Sequence, residues 1–188
     1  YSDAGYDHLL SNEETFEFVP AGPLRHIYPV FMPGEIQLDA LNTANCYIAP
    51  ELLRDYSFDA TVQGNGCATL NITPQRLSGA YARLVWETGT QANSVISSLG
   101  YDGSRIRFRT GTQQGNALIG LFNAGGECVW SWHIWVANYD PESSAQKYSS
   151  GDIFMDRNLG TVGTDYTKVT ACGLYYQWGR KDPFPHPA

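Results

Sequence analysis

The stretch VWSWHIWV, Val129 to Val136, carries three of the chain's five tryptophans and sets His133 between two of them. With the period of two that a strand imposes, Trp130, Trp132, Ile134 and Val136 share one face, and Val129, Ser131, His133 and Trp135 share the other. The first set is a core face. The second is mixed, and two arrangements fit it. Large aromatics are mostly buried, which favours a face packed beneath the tail or a second sheet, with His133 hydrogen-bonded. Alternatively, His133 and Trp135 present an aromatic platform with a polar handle, as a sugar-binding face would.

Immediately upstream, AsnAlaGlyGlyGlu (Asn123 to Glu127) supplies residues that tolerate positive φ, so it joins this strand to the apolar run at Ala117 to Phe122 as a hairpin. Short runs of the same kind recur upstream at Glu35 to Asp39, Ala44 to Ala49, Asp55 to Thr61, Ala82 to Glu87, Val95 to Leu99 and Arg105 to Thr110. Turn chemistry at Gln63 to Gly66 and Tyr101 to Gly103 separates some of them. Short strands at this spacing predict an all-β, antiparallel sandwich. In ArgIleArgPheArg, Ile106 and Phe108 face inward and three arginines face outward, as on a half-exposed strand.

Three segments follow from the texture. Residues 1–27 form an N-terminal leader with at most one strand, at Thr15 to Val19. Residues 28–139 form the sandwich module, and residues 140–188 form a polar loop and a docked tail. In that tail Trp178 reads as an aromatic anchor, and Tyr175 and Tyr176 as residues that pack it down.

The 188 residues include 12 Lys and Arg against 19 Asp and Glu, a formal charge of -7. The scattered cations offer no basic patch, which excludes nucleic acid as an expected partner. Many Gly, Tyr, Thr, Ser and Asn residues fit an extracellular β-rich protein. No run approaches the length of a membrane-spanning helix. The four cysteines, Cys46, Cys67, Cys128 and Cys172, and the four histidines lack metal-ligand spacing, so no metal and no cofactor are expected. Three full disulfide pairings remain open, with free buried thiols favoured because Cys46 and Cys128 lie in apolar runs. The acidic residues Asp152, Asp156, Asp165 and Asp182 lack calcium-loop spacing. AsnIleThr, Asn71 to Thr73, matches the N-glycosylation pattern and fits a surface loop. His133 has only Ser131 and Trp135 as neighbours two residues away, which supplies no local nucleophile and base pair. No catalytic residue is expected from adjacency.

AsnCysTyrIle (Asn45 to Ile48), TrpSerTrpHisIleTrp (Trp130 to Trp135), MetAspArgAsnLeuGly (Met155 to Gly160) and TyrTyrGlnTrpGlyArgLysAspProPhe (Tyr175 to Phe184) resemble, in order, fimbrillin-like and major-paralogous-domain surface proteins of Bacteroidales. The chain departs from the pattern at Ala49 to Arg54 and at Cys128. The resemblance implies a β-sandwich followed by the start of a C-type-lectin-like domain. It also implies a non-enzymatic structural or adhesive protein at the cell surface or outer membrane. Such a protein would be a fimbrial (pilus) tip or accessory subunit that meets other pilin or surface subunits by strand addition. The alternative is a glycan-binding module of a surface lipoprotein. For it the candidate ligand-binding residues are His133, Trp135 and Tyr176, with a glycan as partner.

Overall fold

The computed structural model describes residues 34–64 and 73–185. The expected leader strand at Thr15 to Val19, Cys67 and Asn71 lie outside the described residues, as do His8, His26, His186 and part of the Gln63 to Gly66 turn. Among the described residues ten strands follow in chain order: β1 (Ile36–Gln37), β2 (Cys46–Ala49), β3 (Asp55–Asp59), β4 (Tyr81–Glu87), β5 (Ile96–Tyr101), β6 (Arg105–Thr110), β7 (Gly115–Phe122), β8 (Cys128–Val136), β9 (Gln146–Lys147) and β10 (Ile153–Phe154).

The first eight strands form two four-stranded sheets, ordered β1-β3-β6-β5 and β2-β8-β7-β4. Sheets in the orders β3-β6-β5 and β8-β7-β4 have the Greek-key connectivity of an immunoglobulin-type sandwich, with β1 and β2 divided between the two sheets. The expected all-β sandwich is present. Its antiparallel character holds except at two edges, where β1 runs parallel to β3 and β2 runs parallel to β8. Neither parallel pair is joined by a hairpin, because each links strands well separated in sequence.

Strand alternation builds the core. Tyr47 and Ala49, Tyr56 and Phe58, Ile106 and Phe108, Ala117, Ile119 and Leu121, and Trp132, Ile134 and Val136 are all buried in one cluster between the sheets. Phe58 joins the layers, its ring 5.0 Å from Tyr47 and 5.2 Å from Trp132. Strand β7 is buried along its whole length because both its faces are covered, which explains why its sequence is apolar rather than alternating. The hairpin between β7 and β8 turns at Asn123 to Glu127, with Gly126 at φ 85°.

Strand β6 faces as its sequence implies, and each outward arginine has an acidic partner. Arg105 pairs with Asp39, Arg107 with Glu35 and Asp102, and Arg109 with Asp55. Strand β1 is shorter than the expected Glu35 to Asp39. The Asp39 side chain takes over from the backbone ladder, accepting from Asp59 N at 3.0 Å and from Arg105 Nη2 at 2.6 Å.

The described residues from Glu35 onward form one compact unit. Beyond β8, the tail contains the antiparallel β9–β10 hairpin, a 3-10 turn at Val169–Ala171 and an isolated bridge between Tyr175 and Phe184. The expected aromatic anchor is not one: Trp178 is 101% exposed, and Tyr175 and Tyr176 are 54% and 48% exposed. Polar contacts to β7 and β8 hold the tail instead. No helix among the described residues is long and apolar enough to cross a membrane, which leaves membrane β-barrels unaddressed.

Candidate functional site

The second face of the opening stretch is the outer face of sheet β2-β8-β7-β4, and the tail covers it. Trp135 is 1% exposed and His133 4%. Trp135 Nε1 donates to Thr161 O at 3.0 Å, and its ring lies 5.0 Å from that of Tyr139. Arg157, paired with Asp156, caps Tyr139 at 4.1 Å. No sugar ring can stack on Trp135 in this arrangement. Of the three expected ligand-binding residues, Tyr176 alone keeps a large accessible surface.

His133 is the centre of a chain of side chains drawn from three adjacent strands. The parallel register of β2 on β8 sets Cys46 opposite His133, and β7 contributes Asn116 from the other side. Cys46 Sγ lies 3.1 Å from His133 Nδ1, and Asn116 Oδ1 lies 2.9 Å from His133 Nε2. Asn116 Nδ2 donates to Gly160 O at 2.7 Å.

The last bond assigns the others. A backbone carbonyl only accepts, so the Asn116 nitrogen must face Gly160 and its oxygen must face the imidazole. His133 Nε2 therefore carries the proton, and Nδ1 offers a lone pair to the Cys46 thiol. Gly160 permits the approach. It has φ +86°, and a Cβ there would lie 2.6 Å from Leu174 Cγ and 3.0 Å from Asn116 Oδ1.

Burial sets the protonation states. It pushes the His133 imidazole down to about 4, opposed in part by the Asp182 carboxylate. It pushes the Cys46 thiol up to about 12. The resting pair is accordingly a neutral thiol on a neutral imidazole. Tyr176 is also pushed up to about 12, by burial and then by Cys46 beside it. Cys46 is nonetheless exposed. Those two properties belong to a thiol at a rim, with dense protein on one side and solvent on the other. Its accessible surface decides whether a reagent can reach it.

A second cluster lies beside the first. Ser131 Oγ donates to Asp182 at 2.8 Å, and Lys181 Nζ donates to Ser131 O at 2.8 Å, to Ser131 Oγ and to Asp182. These three acceptors match the three N–H donors of the ammonium. Lys181 also lies 4.5 Å from the centre of the Trp130 ring. The cluster ties the tail to β8.

Asn116 and Gly160 also line a cleft of about 460 Å³, together with Glu87, Thr88, Gln114 and Leu174. Glu87 Oε2 accepts from Val95 N at 3.1 Å and from Ile96 N at 3.0 Å, while its buried Oε1 has no partner. Among the described residues no group of three or more His, Cys, Asp and Glu side chains could hold a metal ion.

Sequence reasoning placed His133 but missed Cys46, Asn116 and Gly160 as its partners. Cys46 lies 87 positions away, beyond any spacing rule. Asn116 does carry a signal, since an amide inside the apolar run GNALIGLF needs a buried partner. No family model, curated protein or solved structure matches the chain.

Proposed function

We propose that this chain is a non-enzymatic protein of the cell surface that assembles with other subunits by strand addition, as the fimbrillin-like resemblance implies. The outer edge of β2 carries the reading. His133 N donates to Asn45 O and Ala137 N to Ala49 O, so residues 45, 47 and 49 direct their backbone groups toward β8. In a parallel ladder the intervening residues, Cys46 and Ile48, then point theirs outward. Strand β2 is last in its sheet among the described residues. Such an edge accepts an extended segment through main-chain hydrogen bonds. At the far side of the sandwich β4 and β5 lie against each other, which makes that side a poorer acceptor.

Ile48→Pro removes one outward N–H while sparing the bonds to β8. Deleting residues 1–27 removes a candidate donor. Native mass spectrometry and an incorporation assay with the partner subunits should show assembly lost in both variants, with monomers still folded. Unchanged incorporation of both would refute strand addition. The glycan-binding alternative keeps support from the exposed tail aromatics Tyr176 and Trp178, 48% and 101% exposed. Binding heat from a polysaccharide that vanishes in Tyr176→Ala, with assembly unaffected, would favour it instead.

A further inference from the structure

We propose that Cys46 is an acyl-acceptor thiol: His133 acts as its general base, Asn116 is the residue that positions that base, and the donor is an activated ester or thioester. The proposal stands on the geometry of the chain and on access. Sγ lies 3.1 Å from Nδ1, within reach for proton transfer, and the opposite ring nitrogen is fixed by Asn116 at 2.9 Å. Asn116 is itself held by the backbone at Gly160. A nucleophile, a base and an orienting amide in this order form the Cys-His-Asn arrangement used for acyl transfer on unrelated folds. Cys46 is an exposed residue on the outer strand of its sheet, which is the side from which a donor would approach.

The step balances without a redox partner. A sulfur lone pair attacks the carbonyl carbon of the donor as the S–H proton passes to His133 Nδ1. The carbonyl π pair moves to oxygen, then returns as the bond to the leaving thiolate or alkoxide breaks. The imidazolium at Nδ1 gives its proton to that leaving group, which restores the neutral ring. The product is a thioester on Cys46, formed once per chain; turnover is not part of the proposal.

The neutral resting pair shapes the pH dependence. The groups that face this pair are Asn116 from β7, Ser131 on β8, and Tyr176, Lys181 and Asp182 from the tail. Because burial brings His133 down to about 4, its Nδ1 lone pair is already free at pH 5. Acylation of Cys46 should therefore run at a level rate from about pH 5 to 8. An unassisted thiol instead speeds up roughly tenfold per pH unit as thiolate forms.

The test is acetylation of the whole chain by p-nitrophenyl acetate, followed through p-nitrophenolate release, with each cysteine's label located by peptide mass spectrometry. At pH 6 Cys46 should react roughly a hundredfold faster than the chain's other three cysteines, the low end of what a placed base contributes. His133→Gln, which keeps a hydrogen-bonding side chain without the base, should lose that advantage and give Cys46 the rising profile of an ordinary thiol. Cys46 reacting no faster than the other three, or an H133Q profile that stays level, overturns the proposal. If H133Q fails to fold by circular dichroism, the native chain decides alone through the ranking of its cysteines and the level profile.

Discussion

At the scale of the residue, His133 is the position where the fold and its chemistry meet. Buried on the outer face of the sheet, it satisfies both ring nitrogens only when neutral, with Asn116 accepting at Nε2 and Cys46 donating at Nδ1. An added proton at Nδ1 would displace the thiol hydrogen and find only the weakly accepting sulfur. The unfolded chain takes up a proton near 6.5, whereas the folded chain takes one up near 4. Between those values the unfolded state binds more protons, so stability falls as pH drops from 6.5 toward 4, and below 4 the loss stops growing. A difference of this size is worth about 3 kcal/mol. Urea midpoints measured from pH 7 to pH 4 should fall accordingly in the native chain and much less in His133→Gln. Equal slopes for both would show that other groups govern the acid side. None of this was legible in VWSWHIWV, where only Ser131 and Trp135 stand near His133 along the strand. The burial of one face was legible there, because alternation alone separates Trp132 and Ile134 from His133.

At the scale of the element, the strands could be read because each has a face that must be buried. The expected Arg105 to Thr110 run coincides with β6, and the expected Ala117 to Phe122 run falls within β7. The tail was less readable because its anchors are backbone acceptors: Gly160 O receives Asn116, and Thr161 O receives Trp135. A carbonyl has no sequence signature, whereas Trp178 looks like an anchor and points into solvent. Gly160 is where this anchoring can be tested. In Gly160→Ala, the positive φ costs about 1–3 kcal/mol, and the new Cβ also presses on Leu174 and the Asn116 amide. Gly151→Ala is the control, with φ +91° and nothing within 4 Å of the added atom. Hydrogen exchange should show the tail amides from about residue 156 to residue 174 opening in G160A, with the β7–β8 hairpin still protected. The control should show only local change. Matching exchange in the two variants would mean that the close contact, as distinct from the backbone angle, contributes nothing.

At the scale of the whole molecule, sandwich and tail depend on each other. One sheet of an ordinary sandwich leaves its outer face to water, but here that face carries Trp135, Ala137, His133 and Asn116, each with at most 4% of its surface accessible. Removing residues 140–188 would expose Trp135 and strip Asn116 and Trp135 of the carbonyls they use. A tryptophan buries about 150–250 Å². At about 25 cal/mol per Å², uncovering this one side chain costs on the order of 4–6 kcal/mol as an upper bound. That is comparable to the whole stability of a small domain, about 5–15 kcal/mol. The shortened chain should therefore bind a hydrophobic dye, shift its tryptophan emission to the red and self-associate, while strand content by circular dichroism falls only in part. Adding back a peptide of residues 140–188 should reverse the dye binding, because the polar anchors at Ser131 and Asn116 remain on the sheet to receive it. A shortened chain that stays monomeric and unfolds at the native urea midpoint would show that the sandwich stands without its cover, and that the apolar outer face serves some partner other than the tail.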